Sequence, residues 1–297
     1  MSGIPPIPDL AYVKRSLRHE RKMMRAYRER IATDAGVAGL RAGACARAAA
    51  FEWALAADPQ SCQALWSEAA GALADAAERE TPGARRLIHG LHLAIASRNG
   101  EAFRRQAYAA SHTSQHTPDL QNRPHAHLLE GYAMLAVSLL ERNYAPARAA
   151  SQALGAALSV SDRQWWRRKA PSLSEAAWLM AEHRAVCTLL RAVADTLARG
   201  DTSGNSPYDN VMEATPWQLA ARFALATDEA LLRLDRFLRV ATSHQPGLYV
   251  WLPGLAIVTL GASAGLPMRW LRERYQNAAP GYERLPLELL PALDISS

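Results

Sequence analysis

The sequence predicts an all-α protein. Alanine is abundant and β-branched residues are sparse, which favours helix over strand. No segment shows sustained period-two alternation, and no Asn-Gly or Asp-Gly turn joins two β-like runs. Apolar residues instead recur at helical steps between polar segments that contain Gly or Pro. We therefore expect stacked antiparallel helical hairpins, a solenoid-like or tetratricopeptide (TPR)-like bundle.

The first helix follows Asp9, which can cap it. Its apolar residues fall at three-, four- and seven-residue steps and are Val13, Leu17, Met24, Tyr27 and Ile31. Residues 1–30 contain eight Lys/Arg and three Asp/Glu, which gives +5 of the net charge of +6. This helix is either an arm for nucleic acid or anionic membranes, or a packed helix with a solvated basic face. We favour the packed helix, and expect residues 1–32 to pack on or extend from one all-helical domain, 33–297.

The later helices are delimited by Gly, Pro, Asn and Asp. The predicted ranges are about 35–58, 60–80, 84–97, 101–110, 125–141, 145–158, 172–199, 215–226 and 228–242. Two of the hairpins, turning near Asn99 and Asn143, have the small-residue spacing of TPR-like helix pairs. Their separation exceeds the TPR period of about 34 residues, and the consensus is incomplete. We predict stacked hairpins and not a true repeat array.

The cysteines and the N-terminus indicate a cytoplasmic protein. Cys45, Cys62 and Cys187 are widely spaced and odd in number, so we expect buried, reduced thiols and not a disulfide framework. The segment MSGIPPIPDLAYVKR lacks the apolar region of a signal peptide.

The stretch IVTLGASAGLP, residues 257–267, has three interpretations. The uncharged run around it resembles a membrane span, but its strongly apolar part is shorter than the roughly 20 residues required. GASAG matches the G-x-S-x-G nucleophile motif, yet no histidine follows Ser263 to serve as the base. We therefore predict a buried helix that begins near Pro253 and whose small residues permit close packing.

Several histidines lie near one another in the sequence. His112, His116, His125 and His127 surround the segment SHTSQHTPDLQNRP. His112 and His116 are four residues apart, a spacing at which two histidines of one helix can bind the same metal ion. The intervening Thr-Ser-Gln has low helix propensity, however, and no glutamate completes an HExxH motif. We predict an exposed polar loop. His89 and His92 lie three apart on a helix and are expected to be partly buried.

The cluster RQWWRRK, residues 163–169, is the most function-like surface feature. Trp and Arg are enriched at interface hot spots, so we predict a partner-binding patch. Its residues are Trp165, Trp166, Arg167, Arg168 and Lys169. The alternatives are a nucleic-acid platform, or one Trp anchored in the core with the rest solvated. No phosphate-binding loop, zinc quartet or catalytic constellation is visible, so we predict a binding protein and not an enzyme, with no cofactor or metal.

The chain resembles the immunity protein 49 family of bacterial polymorphic toxin systems. The resemblance rests on FEWALAADP and SCQALWSEAA early in the chain, and on WLPGLAIVTLGASAG followed by LPLELL, residues 285–290. It covers about residues 30–295. It implies a cytoplasmic antidote that binds a cognate secreted toxin and blocks its active site. The basic net charge favours an acidic toxin face, or a toxin that is not a nuclease. The alternatives are a helical-repeat adaptor and, less favoured, a nucleic-acid-binding protein.

Overall fold

Helix follows helix throughout the part of the chain that the structure describes. The structure is a computed structural model that describes residues 10–31, 34, 36–80, 82–116, 124–159, 173–200, 216–240, 249–266, 268–277, 279 and 281–290. The helices are α1 (Leu10–Ile31), α2 (Val37–Ala56), α3 (Pro59–Arg79), α4 (Ala84–Ala96), α5 (Gly100–His116), α6 (Pro124–Glu141), α7 (Ala147–Ser159), α8 (Leu173–Gly200), α9 (Pro216–Val240), α10 (Leu252–Ser263) and α11 (Arg269–Gln276). Short 3₁₀ turns follow at Tyr282–Arg284 and Leu287–Leu289. These ranges contain no strand, and the predicted all-α class is confirmed.

The helices stack in the order of the chain. Each of α1 to α8 packs against the helix that follows it, and α3 also contacts α5 as α4 contacts α6. This pattern is a helical bundle built from neighbouring hairpins. Helix α10 departs from the order because it packs on both α4 and α8. It thereby brings together parts of the stack that are far apart in sequence. The TPR-like detail stays a prediction.

Helix α1 packs on α2 along its apolar stripe. Val13, Leu17 and Met24 are buried, and Tyr27 packs against the same core. Basic side chains occupy the remaining faces and are mostly exposed. The helix is thus attached to the bundle and has a solvated basic surface.

The three cysteines are buried free thiols, as the sequence predicted. Burial raises the pKa of both Cys45 and Cys62 to about 12, which keeps them protonated at neutral pH. Cys62 also donates a hydrogen bond from Sγ to the carbonyl oxygen of Ala49, at 3.2 Å. These thiols contribute to packing between α2 and α3.

The two helices predicted over 215–226 and 228–242 are wrong, because α9 is continuous from Pro216 to Val240. Thr227 lies between the two predicted ranges. Its side chain is buried, and its hydroxyl donates to the carbonyl oxygen of Phe223 one turn earlier, at 2.9 Å. The carboxylate of Asp228 accepts hydrogen bonds from Arg274 and Tyr282 instead of capping a new helix. Tertiary contacts therefore hold these two residues inside a helix.

Helix α10 (Leu252–Ser263) contains the first part of the stretch at 257–267, and the buried-helix prediction is confirmed. Pro253 lies in its first turn, and Ile257 and Val258 are fully buried. A Cβ at Gly261 would lie 2.7 Å from Met268 Cε, so the glycine permits close packing. Ser263 is exposed and donates to the carbonyl oxygen of Thr259, at 3.0 Å, and the chain enters it from a helix and not a strand. Among the described helices, none is both long and apolar enough to cross a membrane.

The segment LPLELL packs back onto the bundle. Leu285, Leu289 and Leu290 are buried. Arg98, in the turn between α4 and α5, donates from Nη2 to the carbonyl oxygen of Leu290, at 2.7 Å. This contact joins the end of the described chain to the helix pair on which α10 also packs.

Candidate functional site

A pocket of about 400 Å³ opens where α4, α6, α8 and α10 meet. Its floor is apolar, and its walls carry an unusual number of titratable side chains. The lining residues are Arg85, Ile88, His89, His92, His125, Leu128, Leu179, Glu182, His183, Val186 and Pro253. Pockets of this size and composition, apolar with a few convergent polar groups, are typical of small-molecule sites.

Four histidines from three helices line this pocket. His89 and His92 lie on one face of α4 because a three-residue step is nearly one helical turn. His125 comes from the first turn of α6 and His183 from the middle of α8. The rings of His125 and His183 meet edge to face, with centroids 5.6 Å apart and an interplanar angle of 74°. The imidazoles are therefore packed parts of the wall, held by the helices.

Burial keeps these imidazoles uncharged. It lowers the pKa of His89, His125 and His183 to about 4, and that of His92 to about 3. The positive charge of Arg85 lowers the pKa of His89 and His125 further. At neutral pH each ring thus offers one donor nitrogen and one acceptor nitrogen.

Glu182 is the acid in the wall, and Trp251 orients it. The indole Nε1 of Trp251 donates to Glu182 Oε1 at 3.0 Å. Burial raises the pKa of Glu182, while the hydrogen bond from Trp251 and the charge of Arg85 act in the opposite direction. The backbone N–H of Trp251 donates to the carbonyl oxygen of Arg284 at 2.8 Å, which anchors the residue before α10 begins.

His92 is the most deeply placed imidazole. Its side chain is only 5% exposed, and its ring lies 5.5 Å from that of Tyr132. Its Nε2 is buried and has no hydrogen-bond partner among the described residues. Leaving a buried polar atom unpaired costs about 1–3 kcal/mol.

The wall is not a metal centre by its geometry. Over the described ranges, no three side chains of His, Cys, Asp or Glu lie close enough together to hold a metal ion. What the arrangement offers is hydrogen bonding in an apolar pocket, with one guanidinium among the lining residues.

The histidine-rich loop predicted from residue 111 is wrong where the structure describes it. Helix α5 continues to His116, and Thr113 is buried, so packing against neighbouring helices outweighs the low helix propensity of this turn. His125 lines the pocket, whereas His127 lies beside Glu130, with Nδ1 and Oε2 3.6 Å apart. His112 is exposed on α5. The sequence cluster is therefore divided between different surfaces.

The convergence of α4 and α8 was missed by sequence reasoning. Two signals were present. His89 and His92 share a helix face, and the adjacent pair Glu182-His183 follows the apolar run AAWLMA in the long helix. Only the fold shows that the two helices line one pocket.

The predicted patch, Trp165, Trp166, Arg167, Arg168 and Lys169, lies outside the described residues. Its role in partner binding stays a prediction.

A second candidate surface is the outer face of α1. Lys14, Arg18, Lys22 and Arg25 follow one another at helical steps, and all are exposed. None of the four forms an ion pair or hydrogen bond with another described residue. We call these four residues the basic stripe. Eleven residues separate its ends, so it is about 16 Å long.

The carboxylates beside the basic stripe are already paired. Glu20 accepts two hydrogen bonds from Arg47, at 2.7 and 2.9 Å. Glu52 pairs with Arg21, and Glu68 lies between Arg28 and Arg41. These pairs attach α1 to α2 and α3. The exposed Glu29, one turn after Arg25, is the carboxylate of α1 outside them, so the basic stripe keeps a net positive charge.

Compared with known proteins, the chain matches no protein-family model, no curated protein and no solved structure. The resemblance to the immunity protein 49 family therefore stays a prediction.

Proposed function

We propose that this chain is an immunity protein that binds a cognate secreted toxin, occludes its active site and so neutralises it. The resemblance of the early helix pair and the C-terminal segments suggests this class. An all-helical bundle with broad, rigid faces suits a role in binding. In this proposal the protein acts in the cytoplasm and performs no chemistry of its own.

The basic stripe is the observation that carries the proposal. Lys14, Arg18, Lys22 and Arg25 present four positive charges on one solvated helix face. Uncompensated charge on a binding surface attracts a partner of opposite sign and accelerates association. We therefore propose that the toxin presents an acidic face to α1.

Growth rescue tests the proposal. The full chain is expressed in a heterologous bacterium together with the product of each gene that neighbours its own. An immunity protein rescues growth from one toxic neighbour and forms a stoichiometric complex with it. Rescue from no neighbouring product, although at least one of them arrests growth alone, contradicts the proposal. That outcome favours a helical-repeat adaptor.

Charge removal then tests the surface. Replacing the basic stripe (Lys14→Gln, Arg18→Gln, Lys22→Gln, Arg25→Gln) should lower the association rate by about tenfold and flatten its salt dependence. A matched control removes four exposed arginines elsewhere: Arg104→Gln, Arg142→Gln, Arg222→Gln and Arg272→Gln. The control should change the rate by less than about twofold. Equal effects of the two sets would remove the basic stripe from the proposal.

The tryptophan patch is tested in the same complex. Replacing Trp165, Trp166 and Arg167 should weaken toxin binding mainly through faster dissociation, because hot-spot residues act on the bound state. The circular dichroism spectrum should not change. Unaltered affinity with all three residues replaced would show that the patch takes no part.

Nucleic-acid binding is the alternative that the basic stripe also suits. It predicts that affinity for duplex DNA or RNA falls steeply with salt, with a slope of roughly −4 in log K against log salt concentration for four phosphate contacts. Such a slope, lost in the stripe variant and accompanied by no rescue, would replace the immunity proposal.

A further inference from the structure

We propose that the pocket between α4, α6, α8 and α10 binds a small carboxylic acid with an apolar or aromatic body. This inference is independent of toxin binding, because the pocket and the basic stripe share no residue. It rests on the volume of the pocket, the distribution of its polar atoms and the charge of its lining.

The volume and apolar lining set the size and character of the ligand body. About 400 Å³ is within the range of pockets that hold small organic molecules. Ile88, Leu128 and Val186 are buried apolar side chains of the wall, and Leu179 and Pro253 are half-buried. A ring or short aliphatic chain would bury apolar surface against them, which stabilises the complex by about 25 cal/mol per Å².

The buried imidazole of His92 indicates that the ligand carries a hydrogen-bonding group. His92 is one of the lining residues, and no described residue pairs with its buried Nε2. An oxygen of the ligand can accept a hydrogen bond from this nitrogen in its N–H tautomer. The ligand would then satisfy a polar atom that the protein leaves unpaired.

The charge of the lining favours an anion. Arg85 is exposed at the pocket, and it forms no ion pair or hydrogen bond with any described residue. The four imidazoles are uncharged, and the carboxyl group of Glu182 already accepts a hydrogen bond from Trp251. An ammonium ligand would be repelled by Arg85, whereas a carboxylate can accept two parallel hydrogen bonds from its guanidinium.

Calorimetric titration of the full chain with matched acid and amide pairs tests the inference. The probes are benzoate, indole-3-acetate and hexanoate, each paired with its amide. We expect at least one acid to bind saturably with one-to-one stoichiometry, at least about tenfold more tightly than its amide, because an ionised acceptor strengthens the hydrogen bond. Failure of all three acids to bind at 10 mM would overturn the proposal. Equal binding of acid and amide would also overturn it.

An exposed-residue variant locates the site without disturbing the core. Arg85→Gln should abolish the preference for the acid, and Arg104→Gln, an exposed arginine on α5, should leave it unchanged. In the unmodified protein, NMR signals of the imidazoles of His89, His92, His125 and His183 should shift during titration, while that of His19 should not. Binding that is indifferent to Arg85→Gln, or that leaves these four signals unmoved, would contradict the assignment.

Discussion

At the scale of single residues, Gly254 leaves the space from which the Trp251 indole holds the carboxyl group of Glu182. A Cβ on Gly254 would lie 2.1 Å from Cε3 of Trp251, so the indole can rest on α10 only because this residue lacks a side chain. Trp251 is buried and donates the hydrogen bond that holds Glu182. The local sequence WLPG thus links the start of α10 to the chemistry of the pocket.

Gly254→Ala is expected to destabilise the protein by about 1–3 kcal/mol, because the added methyl group forces the Trp251 ring out of a packed position. The measurement is urea-induced unfolding followed by circular dichroism. Gly71→Ala is the matched control. A Cβ at Gly71 meets nothing within 4 Å inside α3, so this change should stabilise the helix by about 0.5–1 kcal/mol. Equal free energies of unfolding for the two variants would show that the Trp251 ring can move to make room for the added methyl group.

At the scale of elements, α9 is held by a polar contact at its middle. The Asp228 carboxylate lies between Arg274 of α11, with Nη2 and Oδ2 3.3 Å apart, and the hydroxyl of Tyr282, which donates to it. Tyr282 is 1% exposed, and burial raises the pKa of its hydroxyl. The contact joins α9, α11 and the following 3₁₀ turn.

Asp228→Ala should lower the free energy of unfolding by about 1–3 kcal/mol, because the buried hydroxyl of Tyr282 loses its acceptor. The neighbouring Glu229→Ala is the control. Its carboxylate is exposed and pairs only with Arg233 one turn away, so the change should remain within about 0.5 kcal/mol. The measurement is the urea midpoint of each variant, compared where the dependence of the unfolding free energy on urea concentration is the same. A loss no larger than that of the control would mean that the hydroxyl finds another partner.

The same elements show what sequence can predict. Apolar periodicity and punctuation by Gly and Pro located most helices, because a helix with a stripe of core residues needs only local pattern to be recognised. Periodicity could not show that Thr227 and Asp228 lie inside a helix, since their side chains are satisfied by Phe223 and by Arg274 and Tyr282. Helix α5 extends past its predicted end for a similar reason, because Thr113 is buried.

The candidate site was less predictable than the helices. His89 and His92 could be assigned to one helix face from their spacing alone. Their meeting with His125, Glu182 and His183 depends on contacts between helices distant in sequence, and on α10 packing across α4 and α8. No local pattern encodes that arrangement.

At the scale of the whole molecule, the pocket makes the stability of the bundle depend on pH. The imidazoles of α4, α6 and α8 share one wall in their neutral form. His92 and His183 are buried, and His89 and His125 are half-buried. The other titratable or charged groups near them are Arg85, Arg47, Glu182, Tyr132 and the Cys187 thiol, whose Sγ lies 3.5 Å from Nε2 of His183. Protonating any of these rings would place a second positive charge in the wall, near that of Arg85.

Acidification from pH 7.5 should therefore destabilise the fold well before the carboxylates titrate. The pKa of each of the four histidines is about 3 or 4 in the folded state, against an ordinary value of 6.5. Between about pH 6.5 and 4 the unfolded chain thus binds more protons, and stability falls as pH falls. The raised pKa of Glu182 has the opposite effect on stability above its ordinary value of 4.5, because there the folded chain binds this proton more strongly than the unfolded chain does. It therefore offsets part of the effect of one histidine.

When the unfolded chain binds two to four more protons than the folded chain, the free energy of unfolding changes by about 3–5 kcal/mol per pH unit near pH 5.5. Urea unfolding at a series of pH values from 7.5 to 5 measures this slope. His89→Gln should reduce it by about 1.4 kcal/mol per pH unit, the contribution of one proton, whereas His19→Gln on the exposed face of α1 should leave it unchanged. A free energy of unfolding that is constant from pH 7.5 to 5.5 would show that the imidazoles are accessible to protons in the folded protein. The pocket would then be more hydrated than its packing indicates.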